Sequence, residues 1–178
     1  MESTLCVWPA RIKRDAKGRY VVKFPEFPEA LTDGATESEA TANAADALSE
    51  TLMQRLKRNE PIPVPHKAAR GEYQIAPDPT VAMKLALHEV TRTVKAPTAE
   101  LARRLDIDEK EARRLLDPKF PSKAPRLAAA LRAMNTVVTV GWFHTGKNQY
   151  ILANKAARRV THRSKSVIRM PRDRRVPA

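Results

Sequence analysis

The chain has one cysteine and no long apolar run, and each absence excludes a class of protein. Cys6 is the only cysteine among 178 residues, so an internal disulfide and a cysteine-rich zinc site are both excluded. The histidines lack the short spacing of metal ligands; they are His66, His88, His144 and His162. No segment is apolar over the length of a membrane span, and the N-terminus does not resemble a secretion signal. We therefore expect a cytoplasmic protein that needs no cofactor and does not bind membranes.

Motifs of enzymes are also missing. The sequence contains no Ser-His-Asp set, no phosphate-binding glycine loop and no dinucleotide fingerprint. A metal-dependent nuclease would need carboxylates that converge on two ions, with at least one on a central strand. Asp15 and Asp33 instead lie in predicted turns, and Glu26 and Glu29 flank prolines in a predicted loop. We therefore expect a binding protein. The alternative, a nuclease, would require that the purified chain cleaves RNA in a reaction that depends on a divalent metal.

Positive charge is concentrated in the second half of the chain. The net charge is +13, yet residues 1–80 carry 11 basic and 12 acidic side chains, whereas residues 81–178 carry 22 and 8. Within the second half, residues 141–178 alone carry 10 basic side chains and 1 acidic one. This asymmetry predicts that the second half meets a polyanion, without indicating any sequence specificity.

The first half has the pattern of a small sheet followed by a helix. Residues 5–13 alternate as a strand, Asp15 to Gly18 supplies a turn, and residues 19–24 return as a second strand. A helix begins at Thr36, where Thr36 and Glu39 have the spacing of a capping box. Its apolar stripe consists of Ala40, Ala44, Ala47, Leu48, Leu52 and Leu56.

Five prolines between residues 59 and 79 interrupt helical structure and predict a domain boundary. The segment has room for one further strand at residues 72–75, which would complete the first sheet. Beyond it, residues 80–94 and 125–134 have helical periodicity, and residues 136–142 resemble a strand that could pair with a second copy. The basic segment after residue 141 has few large apolar residues, so we expect it to be disordered.

Residues 98–117 predict two short helices joined by a tight turn, the pattern of a helix-turn-helix DNA reader. Leu101, Ala102 and Leu105 share one face of the first helix, and Ala112 and Leu115 share a face of the second. Asp106 falls where the turn needs a left-handed residue, which aspartate tolerates less well than glycine. An ordinary helical hairpin within a core is the alternative.

The first sixty residues resemble the HicB family of bacterial antitoxins. The family has a strand pair, an "F-P-x-x-P" segment and a "T-x-G-x-T-xx-E-A" motif that leads into a helix. This chain matches those motifs at Phe24–Pro28, Thr32–Thr36 and Glu39–Ala40. Some members also carry a C-terminal helix-turn-helix of the Cro and phage-repressor type, which residues 98–118 resemble.

The resemblance implies an α+β protein with a specific order of parts. These are a partial ribonuclease-H-like domain without nuclease activity at residues 1–66, a proline-rich linker or last strand at 67–79, and a helix-turn-helix domain at 80–140. The basic tail at 141–178 follows from composition alone and has no counterpart in this resemblance. It further implies a protein that masks a HicA-type toxin, which cleaves messenger RNA, and that represses its own operon. The partners would then be that toxin and operator DNA.

Candidate binding residues follow from these expectations. The expected toxin-binding residues are Trp8, Phe24, Glu26, Phe27, Glu29 and Asp33. The acidic residues among them lie in loops that could complement a basic toxin. The same acids could instead form a solvated rim. The expected DNA-binding residues are Thr98, Arg103, Arg104, Glu109, Lys110, Arg113, Arg114, Lys119 and Lys123. Some of these arginines could instead only pair with neighbouring acids.

Helix-turn-helix readers usually act as dimers, so we expect a homodimer or a tetramer. The alternative to an antitoxin is a stand-alone transcriptional regulator whose first domain senses a small ligand or oligomerises. A small toxin gene beside this one would separate the two.

Overall fold

A four-stranded antiparallel sheet with one long helix forms the first part of the protein. The computed structural model describes residues 6–92 and 94–139. Strands β1 (Trp8–Arg14) and β2 (Tyr20–Lys23) form the predicted hairpin, and β3 (Leu31–Gly34) and β4 (Tyr73–Ile75) complete a sheet of order β3-β2-β1-β4. The further strand expected near residues 72–75 is thus confirmed as β4, which pairs with β1.

The turn of the hairpin follows from its residues. The Asp15 carboxylate accepts hydrogen bonds from the backbone amides of Lys17 and Arg19, both at 2.9 Å. Gly18 has a φ of +83°, a conformation that favours glycine because it has no Cβ. These contacts reverse the chain and set Ile12 opposite Val22.

Helix α1 (Glu37–Arg58) packs across one face of the sheet. Thr36 is confirmed as the helix cap, since its Oγ1 accepts a bond of 3.1 Å from the Glu39 amide. The Glu39 carboxylate reaches back to the amide of Ala35, the residue before the cap. Ala40 and Ala44 are fully buried and small, which lets the helix lie close to β3. The opposite face of the sheet carries exposed Arg11, Lys13 and Lys23.

Four shorter helices form the second part, which gives the described residues five helices in all. They are α2 (Pro79–Arg92), α3 (Pro97–Leu105), α4 (Glu109–Leu116) and α5 (Ala124–Ala133), each at a predicted position. None of the described helices combines the length and apolar character required to cross a bilayer.

Helix α2 joins two hydrophobic cores. Leu85 is buried with Leu52 and Leu56 in the core under the sheet, whereas Leu87 is buried with Leu101 and Leu127 among the shorter helices. Since one rigid helix contributes to both cores, it sets the position of α1 relative to the helices that follow.

The strand expected at residues 136–142 is absent from residues 136–139, the part of that segment that the structure describes. Residues 136–139 follow α5 without strand pairing, and Val137 and Val138 are exposed. The alternating pattern there has no described neighbour to pair with, and pairing is what turns an extended segment into a sheet. The remainder of that segment and the basic tail at 141–178 lie outside the described residues.

Candidate functional site

Helices α3 and α4 are joined by a three-residue turn, residues 106–108. Asp106 adopts the left-handed conformation predicted for it, with φ 53° and ψ 51°. The Ile107 amide donates to the Ala102 carbonyl at 3.1 Å, which ends α3. Asp108 caps α4 by accepting a bond of 2.7 Å from the Glu111 amide. These contacts hold the second helix at a fixed angle to the first.

The solvent side of α4 presents two cations that are not engaged by the protein. Lys110 and Arg113 are exposed, and within residues 6–92 and 94–139 their side chains form no hydrogen bond or ion pair. Arg114 differs, because its guanidinium lies over the Phe120 ring at 5.3 Å from the centroid. Lys110 and Arg113 are therefore the side chains of α4 most available to a ligand.

Most of the acidic charge at the start of α4 is engaged within the protein. The Asp108 carboxylate serves as the helix cap, and Glu111 forms an ion pair with Arg126 of α5. Glu109 is exposed at the first position of the helix. Of the three acids that would repel a phosphate, Glu109 is the one left facing solvent without a described partner.

The two arginines of α3 are held by the protein itself. Glu100 forms ion pairs with Arg103 at 2.8 Å and with Arg104 at 2.6 Å, and these hydrogen bonds lower the pKa of Glu100 to about 2. Arg104 also donates to the Ala133 carbonyl at the end of α5, at 2.9 Å. Thr98 is half-buried in the first turn of α3. The structure thus gives the two α3 arginines that were expected to bind DNA intramolecular partners, the alternative left open by the sequence.

A buried lysine that the sequence pattern does not single out positions the loop after α4. The Lys84 ammonium donates to the carbonyls of Asp117 at 2.6 Å and Pro118 at 3.1 Å, and also to that of Phe120. Burial lowers the pKa of Lys84. The signal available in the sequence is its register, since position 84 lies at helical spacing from Val81, on the buried side of α2.

The loop held by Lys84 carries two further candidate residues. Lys119 and Lys123 are both exposed, and Lys123 directly precedes α5. The Lys119 amide donates to the Asp117 carboxylate at 2.9 Å, which orders the backbone where that side chain emerges. Both lysines therefore extend the basic surface beyond the end of α4.

Three of the residues expected to bind a toxin have side chains that belong to the core. Trp8 and Phe24 are each 3% exposed and Phe27 is fully buried. Phe27 contacts Trp8 edge to face, with centroids 5.6 Å apart, and the Trp8 indole N–H donates to the Pro63 carbonyl at 3.0 Å. Because their surface is taken up by internal contacts, these aromatic residues hold the loops around them rather than offering a docking surface.

The carboxylates expected to face a toxin are on the surface but are paired. Glu29 accepts a bond of 2.7 Å from Arg55, and Asp33 pairs with Arg19. In each case the hydrogen bond from the arginine holds the pKa of the carboxyl group below its usual range. Between the two acids lies Leu31, an apolar side chain on the edge strand β3 that is 60% exposed.

Glu26 belongs to a cluster that fastens residues 66–72 to the sheet. His66 lies between two carboxylates: its Nδ1 contacts Glu26, and its Nε2 is 2.9 Å from Glu72. Glu72 also pairs with Arg11 of β1 at 2.9 Å. Desolvation raises the pKa of Glu26, but hydrogen bonds from the His66 amide and ring outweigh it and leave that pKa below its usual value.

The imidazole of His66 is the pH-sensitive member of this cluster. Hydrogen bonds to Glu26 and Glu72 raise its pKa above the ordinary value of 6.5. The pKa of Glu72 is lowered to about 2, chiefly by a hydrogen bond from the Ala69 amide and further by hydrogen bonds from His66 and Arg11. A histidine whose pKa is higher in the folded protein than in the unfolded chain stabilises the fold at pH values below its unfolded-state pKa. This stabilisation is lost as the pH rises through the folded-state pKa.

We expect His66→Gln to be destabilising at acidic pH and less so at alkaline pH. The loss should be about 0.5 to 1 kcal/mol below pH 6.5, since the ring is partly exposed and solvent screens the ion pairs. Urea titrations of both proteins at several values from pH 5.5 to pH 9 would measure it. A difference that stayed constant across this range would show that the charge on His66 contributes nothing.

The described part of the chain contains no candidate metal site. No group of three or more histidine, cysteine or acidic side chains there has the arrangement needed to hold a metal ion. Cys6 is half-buried, and burial raises the pKa of its thiol, which disfavours the reactive thiolate.

Comparison with known proteins identifies relatives over most of the described residues. Residues 7–86 match a family described as HicB_like antitoxin of bacterial toxin-antitoxin system. The chain is 32% identical over 127 residues to Antitoxin HicB 2 of Photorhabdus laumondii, which covers 71% of this chain and 89% of that protein. It is 31% identical over 127 residues to Antitoxin HicB of Escherichia coli K12, covering 71% of this chain and 92% of the relative.

Proposed function

Because this chain belongs to the HicB-like family of bacterial antitoxins, we propose that it neutralises a HicA-type toxin by direct binding and represses its own operon through α3 and α4. The relatives are antitoxins and not enzymes. A toxin partner follows from the family; the kind of toxin, the DNA and the oligomeric state are parts of the proposal.

The proposal for DNA is supported above all by the unengaged cations of α4. An α-helix fits the major groove, where lysine and arginine bind the acceptors of guanine. Lys110 and Arg113 lie one turn apart on the solvent side of α4, and the turn at residues 106–108 orients that helix relative to α3. Lys119 and Lys123 are placed to bind phosphates beside it.

The proposed reader acts as a dimer or a tetramer. A helix-turn-helix gains specificity when two copies read half-sites about one helical turn apart. The segment after α5 exposes Val137 and Val138, 74% and 36% respectively, and is a candidate contact between copies. Light scattering at micromolar concentration would show a monomer if this part of the proposal is wrong.

For the toxin, we propose a docking surface on the edge strand β3. Topology leaves one side of β3 without a neighbouring strand in the described sheet, and Leu31 is the most exposed apolar side chain of that strand. An edge strand offers backbone donors and acceptors to another chain. Asp33 lies on the same face of β3 as Leu31, and Glu29 lies just before the strand. The partly exposed carboxylates of Asp33 and Glu29 would therefore lie near a basic partner bound at this strand.

Leu31→Arg should weaken binding of the toxin while leaving the antitoxin folded. An apolar anchor at the centre of an interface contributes about 2 kcal/mol or more, so toxin affinity should fall by roughly 30-fold or more. Val64→Arg is the matched control, because Val64 is also exposed, at 87%, but lies in the proline-rich segment. Calorimetric titration with the toxin would measure the affinity of both variants. Equal losses of affinity would show that β3 is not part of the toxin interface.

Purification of the tagged chain from its native host tests the two halves of the proposal together. We expect a small basic protein to co-purify, together with DNA from upstream of this chain's gene. DNA without any protein partner would instead favour the stand-alone regulator. A protein partner without DNA would support the antitoxin role and contradict the repressor role.

A further inference from the structure

A cleft with a basic lining opens beside the second half of β1. Strand β4 pairs with β1 only as far as Ala10, so residues 11–14 of β1 have no described strand on that side. The turn at residues 69–72 borders them instead, and the space between strand and turn has a volume of about 300 Å³. The cleft is lined by Arg11, Ile12, Lys13, Ala69, Arg70, Gly71 and Glu72.

The turn that borders this cleft has a fixed backbone. The Glu72 amide donates to the Ala69 carbonyl at 3.2 Å, and the Ala69 amide donates to the Glu72 carboxylate at 2.9 Å. Gly71 allows the turn because its φ of +88° is a conformation that favours glycine. Arg70 is thereby held at the second position of the turn, exposed, where it lines the cleft together with Lys13.

The one carboxylate among the lining residues is already engaged. The side chain of Glu72 is 4% exposed, with its Oε1 2.9 Å from Arg11 Nε and its Oε2 2.9 Å from His66 Nε2. By contrast, the side chains of Lys13 and Arg70 are exposed and form no hydrogen bond or ion pair with any residue that the structure describes. The cleft therefore offers two unengaged cations to an anion.

Positive charge on this side of the sheet is not explained by stability. Lys23 of β2 lies directly opposite Arg11 in the register of the sheet, and like charges at opposed positions are destabilising. Nor does a general excess of basic residues account for it, since residues 1–80 carry 11 basic and 12 acidic side chains. A basic cluster that costs stability, in a half of the chain without net positive charge, favours a role in binding an anion.

The lining also indicates the class of anion. Interfaces between proteins usually have a core of large apolar or aromatic side chains. In the described part of the chain, none of the exposed large apolar side chains lines this cleft; they are Leu31, Val64, Phe120, Val137 and Val138. Lysine and arginine without such anchors suit the phosphates of a nucleic acid, which proteins bind through charge without reading bases.

We propose that the cleft between β1 and the turn at residues 69–72 binds the phosphodiester backbone of a nucleic acid through Lys13 and Arg70. Arg11 and Lys23 add to the positive field around it. None of the lining residues belongs to α4, so this site does not depend on the proposed reading of DNA by that helix. Its contacts are to phosphates and carry no sequence specificity.

Salt dependence of binding tests this site. We would titrate the full chain into a single-stranded RNA of mixed sequence and into a random DNA duplex at several salt concentrations. Each phosphate contact contributes about 0.7 for a single strand and about 0.9 for duplex DNA to the slope of log Kobs against log salt concentration. Lys13→Gln with Arg70→Gln should therefore lower the slope by about 1.4 for the RNA or about 1.8 for the duplex. A loss with one probe alone would identify that nucleic acid as the ligand.

Two control variants accompany this measurement. Lys13→Arg with Arg70→Lys keeps both charges and should keep the slope. Arg58→Gln with Arg92→Gln removes two charges from the surfaces of α1 and α2 and should change the slope little. Urea titrations would establish that every variant remains folded. Lys23 is left unchanged because it lies opposite Leu31, which belongs to the proposed toxin surface.

The outcomes separate this inference from the proposed function. The loss of slope caused by Lys13→Gln with Arg70→Gln should persist in a chain that also carries Lys110→Ala and Arg113→Ala. An unchanged slope with both probes would overturn the inference alone, as would an equal loss from the control on α1 and α2. Weaker binding of the toxin without a change in slope would also overturn it, because the cleft would then belong to a protein interface.

Discussion

Gly34→Ala is expected to lower the free energy of unfolding by about 3 kcal/mol or more, because overpacking against a rigid backbone is costly. A Cβ at this position would lie 2.4 Å from the Ala40 nitrogen and 2.8 Å from the Ala40 Cα. These are backbone atoms of the first turns of α1, so no flexible side chain can move aside. Strand β3 and helix α1 would have to separate, which exposes the core beneath them.

Gly71→Ala is the matched control for this prediction. Gly71 has a φ of +88° and no atom within 4 Å of the place that a Cβ would occupy, so alanine there meets conformational strain but no steric clash. Gly71→Ala should lower the free energy of unfolding by about 1 to 2 kcal/mol. Urea titrations of the two variants would measure the difference, and equal losses would show that close packing at Gly34 is not what requires glycine.

Local signals in the sequence are sufficient to predict most of the helices and the hairpin. The spacing of Thr36 and Glu39 predicts the start of α1 because both partners of a capping box lie within one turn. The left-handed conformation of Asp106 is predictable because a tight turn between two helices requires that conformation at one position. Gly34 is visible in the sequence as the glycine of a motif, but the reason for it, contact with the backbone of Ala40, emerges only from the structure.

Contacts between distant segments cannot be predicted in this way. Periodicity does not distinguish an aromatic side chain in a core from one on an interface, so the sequence does not reveal that Trp8, expected to bind a toxin, is buried in the core. Nor does sequence indicate that Glu26 meets His66, which lies 40 residues away. Ion pairs of this kind depend on how the chain returns to the sheet.

Replacing both Lys110 and Arg113 by alanine is expected to remove specific DNA binding. Each residue that contacts a base edge with good geometry contributes about 1 to 3 kcal/mol, so the double variant should lose about 2 to 6 kcal/mol for the upstream duplex. The reason is structural: within the described residues these two side chains of α4 have no partner in the protein. They are therefore available to a ligand, and their removal should leave the fold intact.

The control removes the same charge from arginines that the protein already engages. Arg92 pairs with Glu89 at 3.1 Å and Arg58 pairs with Glu60 at 3.7 Å, both on exposed surfaces, the first on α2 and the second at the end of α1. Arg92→Ala with Arg58→Ala should weaken binding to specific and random duplexes alike, and only slightly, because it changes the overall field alone. Fluorescence anisotropy on both duplexes distinguishes the cases. If Lys110 and Arg113 read bases, their loss should reduce affinity for the upstream duplex far more than affinity for random DNA. Equal reductions for the two duplexes would show that both side chains contact phosphates and that other residues of the chain recognise the base sequence.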